Sequence, residues 1–143
     1  MEELLAYAYL LGEGLIEFNV YENRLNEMFE NDTENEDLIK LEYLSSSLKE
    51  TIIYIRAHTN YNTMDINKFG KKLFELLKPI YNTMDIETFA KAMNSLWHGL
   101  ADNMQDIDPF WMLSYADEPL SWGDKEQTRE LFEKAITYYD NEK

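Results

Sequence analysis

Few residues of this chain have the types and spacing that catalysis or metal binding requires. The only two histidines are His58 and His98, and neither has a second ligand at the spacing of a helical metal site. The absence of cysteine leaves no thiol nucleophile, disulfide or Cys-based zinc site. No glycine-rich phosphate loop and no G-x-S-x-G elbow occurs. We therefore expect both histidines to be structural or helix-end residues, and the sequence predicts no catalytic residue, metal site or cofactor.

Carboxylate pairs three residues apart provide the best enzymatic alternative. All-α nucleotide pyrophosphohydrolases hold magnesium with such pairs on facing helices. The chain has three of them: Glu27/Glu30, Glu34/Asp37 and Glu130/Glu133. The first two pairs flank one predicted turn and lie too close together to face each other as a preformed cage, and the third has no evident mate. A magnesium enzyme is therefore the less favoured alternative.

The strongest signal for function lies in residues 101–124, which contain six acids and no base. The same segment also holds several large aromatic residues. Exposed acids speed the capture of a basic partner, and aromatic side chains provide buried anchors in interfaces. We predict a partner-binding surface formed by Asp106, Asp108, Trp111, Tyr115, Asp117, Glu118 and Trp122. The alternative is a loop whose aromatic residues pack onto the rest of the protein.

The charge distribution restricts the kinds of partner. The net charge is −15, with eleven acids and one base in residues 1–37 and eleven acids and four bases in residues 101–143. Nucleic acid and anionic membranes are disfavoured as ligands because their phosphates attract Lys and Arg. A basic protein is favoured, since long-range attraction would accelerate its capture. The competing explanation is that the charge only keeps the protein soluble.

These observations predict an acidic protein-binding module that neutralises a basic partner. Such a partner would be a toxin or a nucleic-acid-binding enzyme, and the module an immunity protein or a nucleic-acid-mimicking inhibitor. The composition is similar to that of nuclease immunity proteins, although no motif assigns the chain to such a family. The alternative is a helical scaffold or regulatory subunit without catalysis, either monomeric or homo-oligomeric.

The length and composition predict one folded domain, residues 1–143. Aromatic residues make up 14% of the chain, which argues against disorder. No apolar run reaches the roughly 20 residues of a membrane span. Two glutamates stand near the start, where a signal peptide would carry positive charge. We expect a soluble cytoplasmic protein.

A duplicated segment is the most distinctive sequence pattern. "YNTMDINKF" begins at Tyr61 and "YNTMDIETF" at Tyr81, and the copies 61–80 and 81–100 share nine identities in twenty positions. Apolar residues in each copy follow helical spacing, and the NTMD residues can cap a helix and place negative charge in its first turn. We interpret the repeat as a duplicated helical unit whose copies end near Pro79 and Gly99. The alternative is a binding motif that is used twice.

Helical periodicity extends over most of the chain, and no stretch predicts a strand. We expect an all-α bundle of about five main helices and one short helix. The main helices are predicted at residues 2–30, 34–58, 66–80, 86–100 and 124–140, and the short one at 109–116. Thr33 and Glu36 have capping-box spacing at the start of the second helix. Gly12 and Gly14 mark a kink or a close backbone approach within the first.

Overall fold

The computed structural model describes residues 1–141. All regular structure among these residues is helical, which confirms the predicted all-α class. The α-helices are α1 (Glu2–Gly12), α2 (Phe18–Asn31), α3 (Glu36–Tyr43), α4 (Leu48–Ala57), α5 (Ile66–Thr83), α6 (Ile86–Gly99), α7 (Asp102–Gln105), α8 (Met112–Tyr115) and α9 (Lys125–Ile136). Two 3-10 helices cover Glu118–Trp122 and Tyr138–Asn141. No described helix has the length and apolar character needed to cross a membrane.

The helices form two compact units, residues 1–60 and the described residues from Tyr61 onward. In the first unit α1 packs against α4 and α2, and α2 packs against α3. Every residue of α1 from Leu4 to Leu11 is buried. The prediction of a single domain stays a prediction.

The first predicted helix, residues 2–30, is wrong because the chain leaves the helix at Gly12. Gly14 adopts a left-handed φ of 69°, a conformation that glycine reaches without steric penalty. The Gly14 amide then donates to the Leu11 carbonyl at 3.1 Å and the Leu15 amide to the Leu10 carbonyl at 2.9 Å. These two bonds form a Schellman motif, which satisfies the last carbonyls of α1. The helical pattern resumes only at Phe18, where α2 begins.

The second predicted helix, residues 34–58, is also divided. Ser47 caps α4 by accepting a hydrogen bond from the Glu50 amide at 3.2 Å. The buried Thr51 hydroxyl donates to the Leu44 carbonyl at 3.2 Å. Serine and threonine hydroxyls compete in this way with continuous helical hydrogen bonding, so the helix ends and starts again. The predicted Thr33 cap is wrong as well, since Asn35 caps α3 by accepting from the Leu38 amide at 3.1 Å.

The duplicated helical unit of the sequence is α5 and α6 in the second compact unit. Asp65 and Asp85 are themselves the N-caps, and they accept hydrogen bonds from the Lys68 and Thr88 amides at 3.1 and 3.0 Å. The two aspartates therefore precede the helices and do not lie in their first turns. The predicted end of α5 at Pro79 is wrong, because the helix continues to Thr83. Its apolar face continues past the proline through the half-buried Ile80.

Aromatic side chains build the core of the second unit around α9. Phe89 and Phe132 meet edge to face with their ring centroids 5.0 Å apart. Phe110 is fully buried, with ring centroids 5.8 Å from Phe69 and from Phe74. The first contact joins α6 to α9, and the Phe110 contacts join α5 to the segment that carries the predicted partner-binding residues.

The predicted starts of the last two helices have different outcomes. Asp124 caps α9 by accepting from the Gln127 amide at 3.0 Å, as its position indicated. The predicted helix start at Pro109 is wrong, since α8 begins only at Met112.

Candidate protein-binding surface

The segment around residues 100–112 is held by contacts on its inner side. Met104, in α7, is completely buried. The Trp97 indole Nε1 donates to the Gln105 carbonyl at 3.0 Å, and the Gln105 side chain donates back to the Trp97 carbonyl at 3.1 Å. Phe110 inserts between aromatic rings of α5. These contacts fix the backbone at both ends of the turn that presents residues 106–109.

The outer side of the same segment carries an exposed apolar ridge, which we define as Ile107, Trp111 and Tyr115. The Trp111 amide donates to the Ile107 carbonyl at 2.9 Å, which sets these residues one helical turn apart. Trp111 meets Tyr115 edge to face, with the ring centroids 5.2 Å apart. Ile107 is 42% exposed and Trp111 49% exposed, whereas Tyr115 is half-buried. Trp111 is therefore a surface side chain, and its neighbour Phe110 is the one that packs inside.

Trp122 is presented separately, at the end of the first 3-10 helix. Pro119 is buried and fixes the start of that helix. Gly123 has a left-handed φ of 81°, which lets the Asp124 amide return to the Pro119 carbonyl at 2.9 Å. Trp122 stands outside this closed turn and is 63% exposed. Among the described residues its ring contacts neither Trp111 nor Tyr115, so the predicted residues supply two aromatic centres and not one continuous cluster.

The four predicted carboxylates carry charge that no cation of the described chain neutralises. Asp106, Asp108 and Glu118 are exposed and Asp117 is half-buried, and none of them forms an ion pair within residues 1–141. Some other acids of the second unit are paired; Glu87, for example, meets Lys125 at 2.7 Å. The aromatic centres are thus flanked by carboxylates that remain available to a partner.

Sequence reasoning missed Ile107 as a member of the ridge. The signal was present, because residues 107, 111 and 115 have the four-residue spacing of one helical face. It also missed an exposed apolar pair on α3 of the first unit, where Tyr43 is 80% exposed and Ile39 46% exposed.

Both histidines lie at helix ends, as expected. His58 is the C-cap residue of α4, where its Nδ1 lies 2.9 Å from the Tyr54 carbonyl and its ring stacks on Tyr54. His98 is in the last turn of α6, with its Nδ1 2.7 Å from the Asn94 carbonyl.

One carboxylate of each pair in the magnesium alternative is bonded to another side chain. Glu27 accepts from Arg24 at 2.9 Å, and Asp37 accepts from the Tyr54 hydroxyl at 2.8 Å. Glu133 accepts from the Tyr81 hydroxyl at 3.2 Å. Within residues 1–141 no three acidic or histidine side chains converge as a metal site would require.

The fold and this surface define an all-α protein with exposed tryptophans among unpaired acids. Comparison with protein-family models, with curated proteins and with solved structures finds no match to the chain. The geometry of the surface is therefore the only indication of function.

Proposed function

We propose that this protein is an acidic binding module that captures a basic protein partner through the surface around Trp111 and Trp122. The observation that carries the proposal is the exposure of both indoles among carboxylates that lack a cation partner in the described chain. Phe110 shows that the same segment buries an aromatic side chain where the core needs one. The packing of the protein itself therefore does not account for the two tryptophans.

The exposed indoles provide an energetic reason for docking. An aromatic side chain buries roughly 150–250 Å² when it is fully enclosed. About half of that area is still accessible on Trp111 and more on Trp122, so each can bury roughly 100 Å² against a partner. At about 25 cal/mol per Å² this gives about 2.5 kcal/mol for each indole before the entropic cost of association. A contribution of this size is typical of interface hot spots.

The carboxylates would raise the rate of association and select basic partners over acidic ones. Asp106 and Asp108 flank the ridge, and Asp117 and Glu118 precede Trp122. Exposed charges at the rim of an interface act mainly on the encounter rate, and salt screens their effect. A partner with Lys and Arg residues would be attracted to this surface, and an acidic protein would be repelled from it.

The proposal includes three finer elements that stay predictions. The first is that the module neutralises its partner, as a toxin immunity protein or a nucleic-acid-mimicking inhibitor does, and has no catalytic activity of its own. The second is that the partner is a toxin or a nucleic-acid-binding enzyme. The third is a cytoplasmic location, which the cysteine-free sequence favours because the cytosol is reducing.

The first experiment separates the two tryptophans from the rest of the surface. Tagged protein is used to capture partners from the native host, and each candidate is then purified and measured directly. We expect a basic protein whose binding is lost in the Trp111→Ala/Trp122→Ala double variant. Tyr43→Ala is the matched control, because it removes an even more exposed aromatic ring from the first unit. Failure to obtain a basic partner, or equal binding by the double variant at an unchanged circular dichroism spectrum, would refute the proposal.

The second experiment tests the carboxylates by stopped-flow association at low and high salt. The test variant carries Asp106→Asn, Asp108→Asn, Asp117→Asn and Glu118→Gln together. The control variant changes the same number of charges elsewhere, with Glu17→Gln, Glu30→Gln, Glu34→Gln and Glu50→Gln. We expect the test variant to associate more slowly and with a weaker salt dependence than the control. Equal association rates for the two variants at low salt would contradict a specific role for these four carboxylates and would attribute the attraction to the net charge of the protein.

A further inference from the structure

A cavity lies at the start of α6, where the second copy of the repeat meets α9. The cavity has a volume of about 430 Å³, within the usual range of small-ligand pockets. Its wall comes from six residues between Tyr81 and Glu87 on one side and from Lys125 and Arg129 on the other. The site belongs to the second unit and shares no residue with the surface around Trp111 and Trp122.

The acidic groups of this cavity already have partners. Asp85 accepts from the Thr88 amide at 3.0 Å and from the Thr88 hydroxyl at 2.7 Å, and these bonds hold the pKa of its carboxyl below the usual range. Glu87 pairs with Lys125 at 2.7 Å. The Tyr81 hydroxyl donates to Glu133 at 3.2 Å. The charge of Glu87 is therefore paired with a cation, whereas the Asp85 carboxylate accepts its hydrogen bonds from uncharged donors.

Two other polar side chains of the wall form no hydrogen bond or ion pair with the described chain. Arg129 makes no ion pair or side-chain hydrogen bond within residues 1–141, although the chain has a net charge of −15. Asn82 likewise makes no side-chain hydrogen bond within the described chain. Arg129 lies near the Tyr81 hydroxyl, where its charge opposes the rise in the Tyr81 pKa caused by burial and Glu133. The cavity thus offers a planar guanidinium and a neutral amide.

We propose that this cavity binds a carboxylate, with the Arg129 guanidinium forming a two-pronged hydrogen-bonded pair and Asn82 donating to the same group. The guanidinium fork matches carboxylate geometry, and charge-assisted hydrogen bonds of this kind are the strong ones. The buried Ile86 and the half-buried Met84 would contact the carbon atoms next to the carboxylate. The carboxylate comes either from a small organic acid or from the C-terminus of a peptide.

A singly charged carboxylate fits this wall better than a phosphate group. Phosphate carries nearly two charges at neutral pH. Asp85 and Glu87 lie in the same wall, and their repulsion grows with the charge of the ligand. Arg129 is one cation, so it compensates a monoanion fully and a dianion only in part.

The test is a nuclear magnetic resonance titration of the full chain with sodium butyrate, with sodium chloride keeping the ionic strength constant. We expect saturable shifts of the Arg129 Nε and Asn82 side-chain resonances. Arg129→Gln should weaken binding about tenfold or more, as loss of a charge-assisted pair implies. Lys134→Gln is the matched control, because it removes an exposed charge from the same helix outside the cavity.

A parallel titration distinguishes the two sources of the carboxylate. It uses N-acetyl-alanyl-leucine with a free C-terminus and the same dipeptide as its C-terminal amide. Binding of butyrate supports a small organic acid, whereas binding of the free dipeptide alone supports a peptide C-terminus. Shifts that do not saturate with either probe, equal binding of the amide, or saturable binding unchanged by Arg129→Gln would overturn the proposal.

Discussion

Replacing Gly70 by alanine tests how the last described 3-10 turn packs against α5. Gly70 is buried within α5, and a Cβ atom added there would lie 2.7 Å from the Cε2 and Cζ atoms of Tyr139 and still closer to its hydroxyl oxygen. Ordinary contacts begin at 3.4 Å, so the ring would have to withdraw by about 0.7 Å. Tyr139 is only 8% exposed and its ring lies beside Phe74, with the centroids 6.3 Å apart. Phe74 therefore restricts the movement of the Tyr139 ring on one side.

Two opposing effects determine the result of Gly70→Ala. Alanine stabilises the interior of a helix by about 0.8–1 kcal/mol relative to glycine. Overpacking a closed core typically destabilises by about 1–3 kcal/mol. Because the added atom would overlap the buried Tyr139 ring, which Phe74 confines on one side, we expect the clash to dominate, with a net loss of about 1–2 kcal/mol. The melting temperature should fall by several degrees.

The assay is urea unfolding followed by far-ultraviolet circular dichroism. Gly12→Ala is the control, since nothing lies within 4 Å of a Cβ atom at that position, and it should be neutral or stabilising. In a Tyr139→Ala background, Gly70→Ala should become stabilising because the ring is gone and only helix propensity remains. If Gly70→Ala alone stabilises the wild-type chain, the packing of Tyr139 over Gly70 is wrong.

Three further predictions follow from the described contacts. Asp65→Ala should lower the free energy of unfolding by about 0.5–2 kcal/mol, whereas Asp65→Asn, which keeps the capping oxygen, should change it little. Neither variant should change partner binding by the folded protein. A binding defect at an unchanged melting temperature would instead favour a binding motif that is used twice. Burial, and then the nearby charge of Glu22, raise the pKa of Glu42 in the folded protein. The free energy of unfolding therefore falls as the pH rises from the pKa of Glu42 in the unfolded chain to its higher pKa in the folded protein. In paired thermal melts Glu42→Gln should be more stabilising at neutral pH than near pH 4, and a gain that does not depend on pH would contradict this. Phe110→Ala should lower the free energy of unfolding by about 3–5 kcal/mol, and Trp111→Ala by clearly less in the same urea assay; equal losses would place Trp111 in the core.

The sequence predicted where helices form better than where they end. Periodic apolar residues gave the all-α class, and the two NTMD segments gave the starts of α5 and α6 within a residue. The break after Gly12 was expected only as a kink or a close backbone approach and the break after Tyr43 was not expected, because the apolar pattern runs through both. The Schellman turn at Gly14 and the serine cap at Ser47 depend on local hydrogen bonds, which the periodicity of apolar residues does not reveal.

The candidate surface shows a different limit of sequence reasoning. Phe110 and Trp111 are adjacent, both are large and aromatic, and both lie in the same acidic segment. Only the packing of Phe110 against Phe69 and Phe74 decides that one ring is inside and the next outside. The burial of Phe110 thus depends on a helix more than thirty residues earlier in the chain, so no local sequence pattern could predict it.

The same packing bears on how the proposed surface would bind. Met104 and Phe110 are fully buried beneath the ridge, and the paired hydrogen bonds between Trp97 and Gln105 hold the turn between them. A surface fixed in this way loses little conformational entropy when a partner docks. The backbone that carries Asp106 and Asp108 is then in place before the encounter, so attraction of a basic partner would bring it onto a preformed surface. Affinity would in consequence depend on how well the partner encloses Trp111, while the rate of capture would depend on the acids beside it.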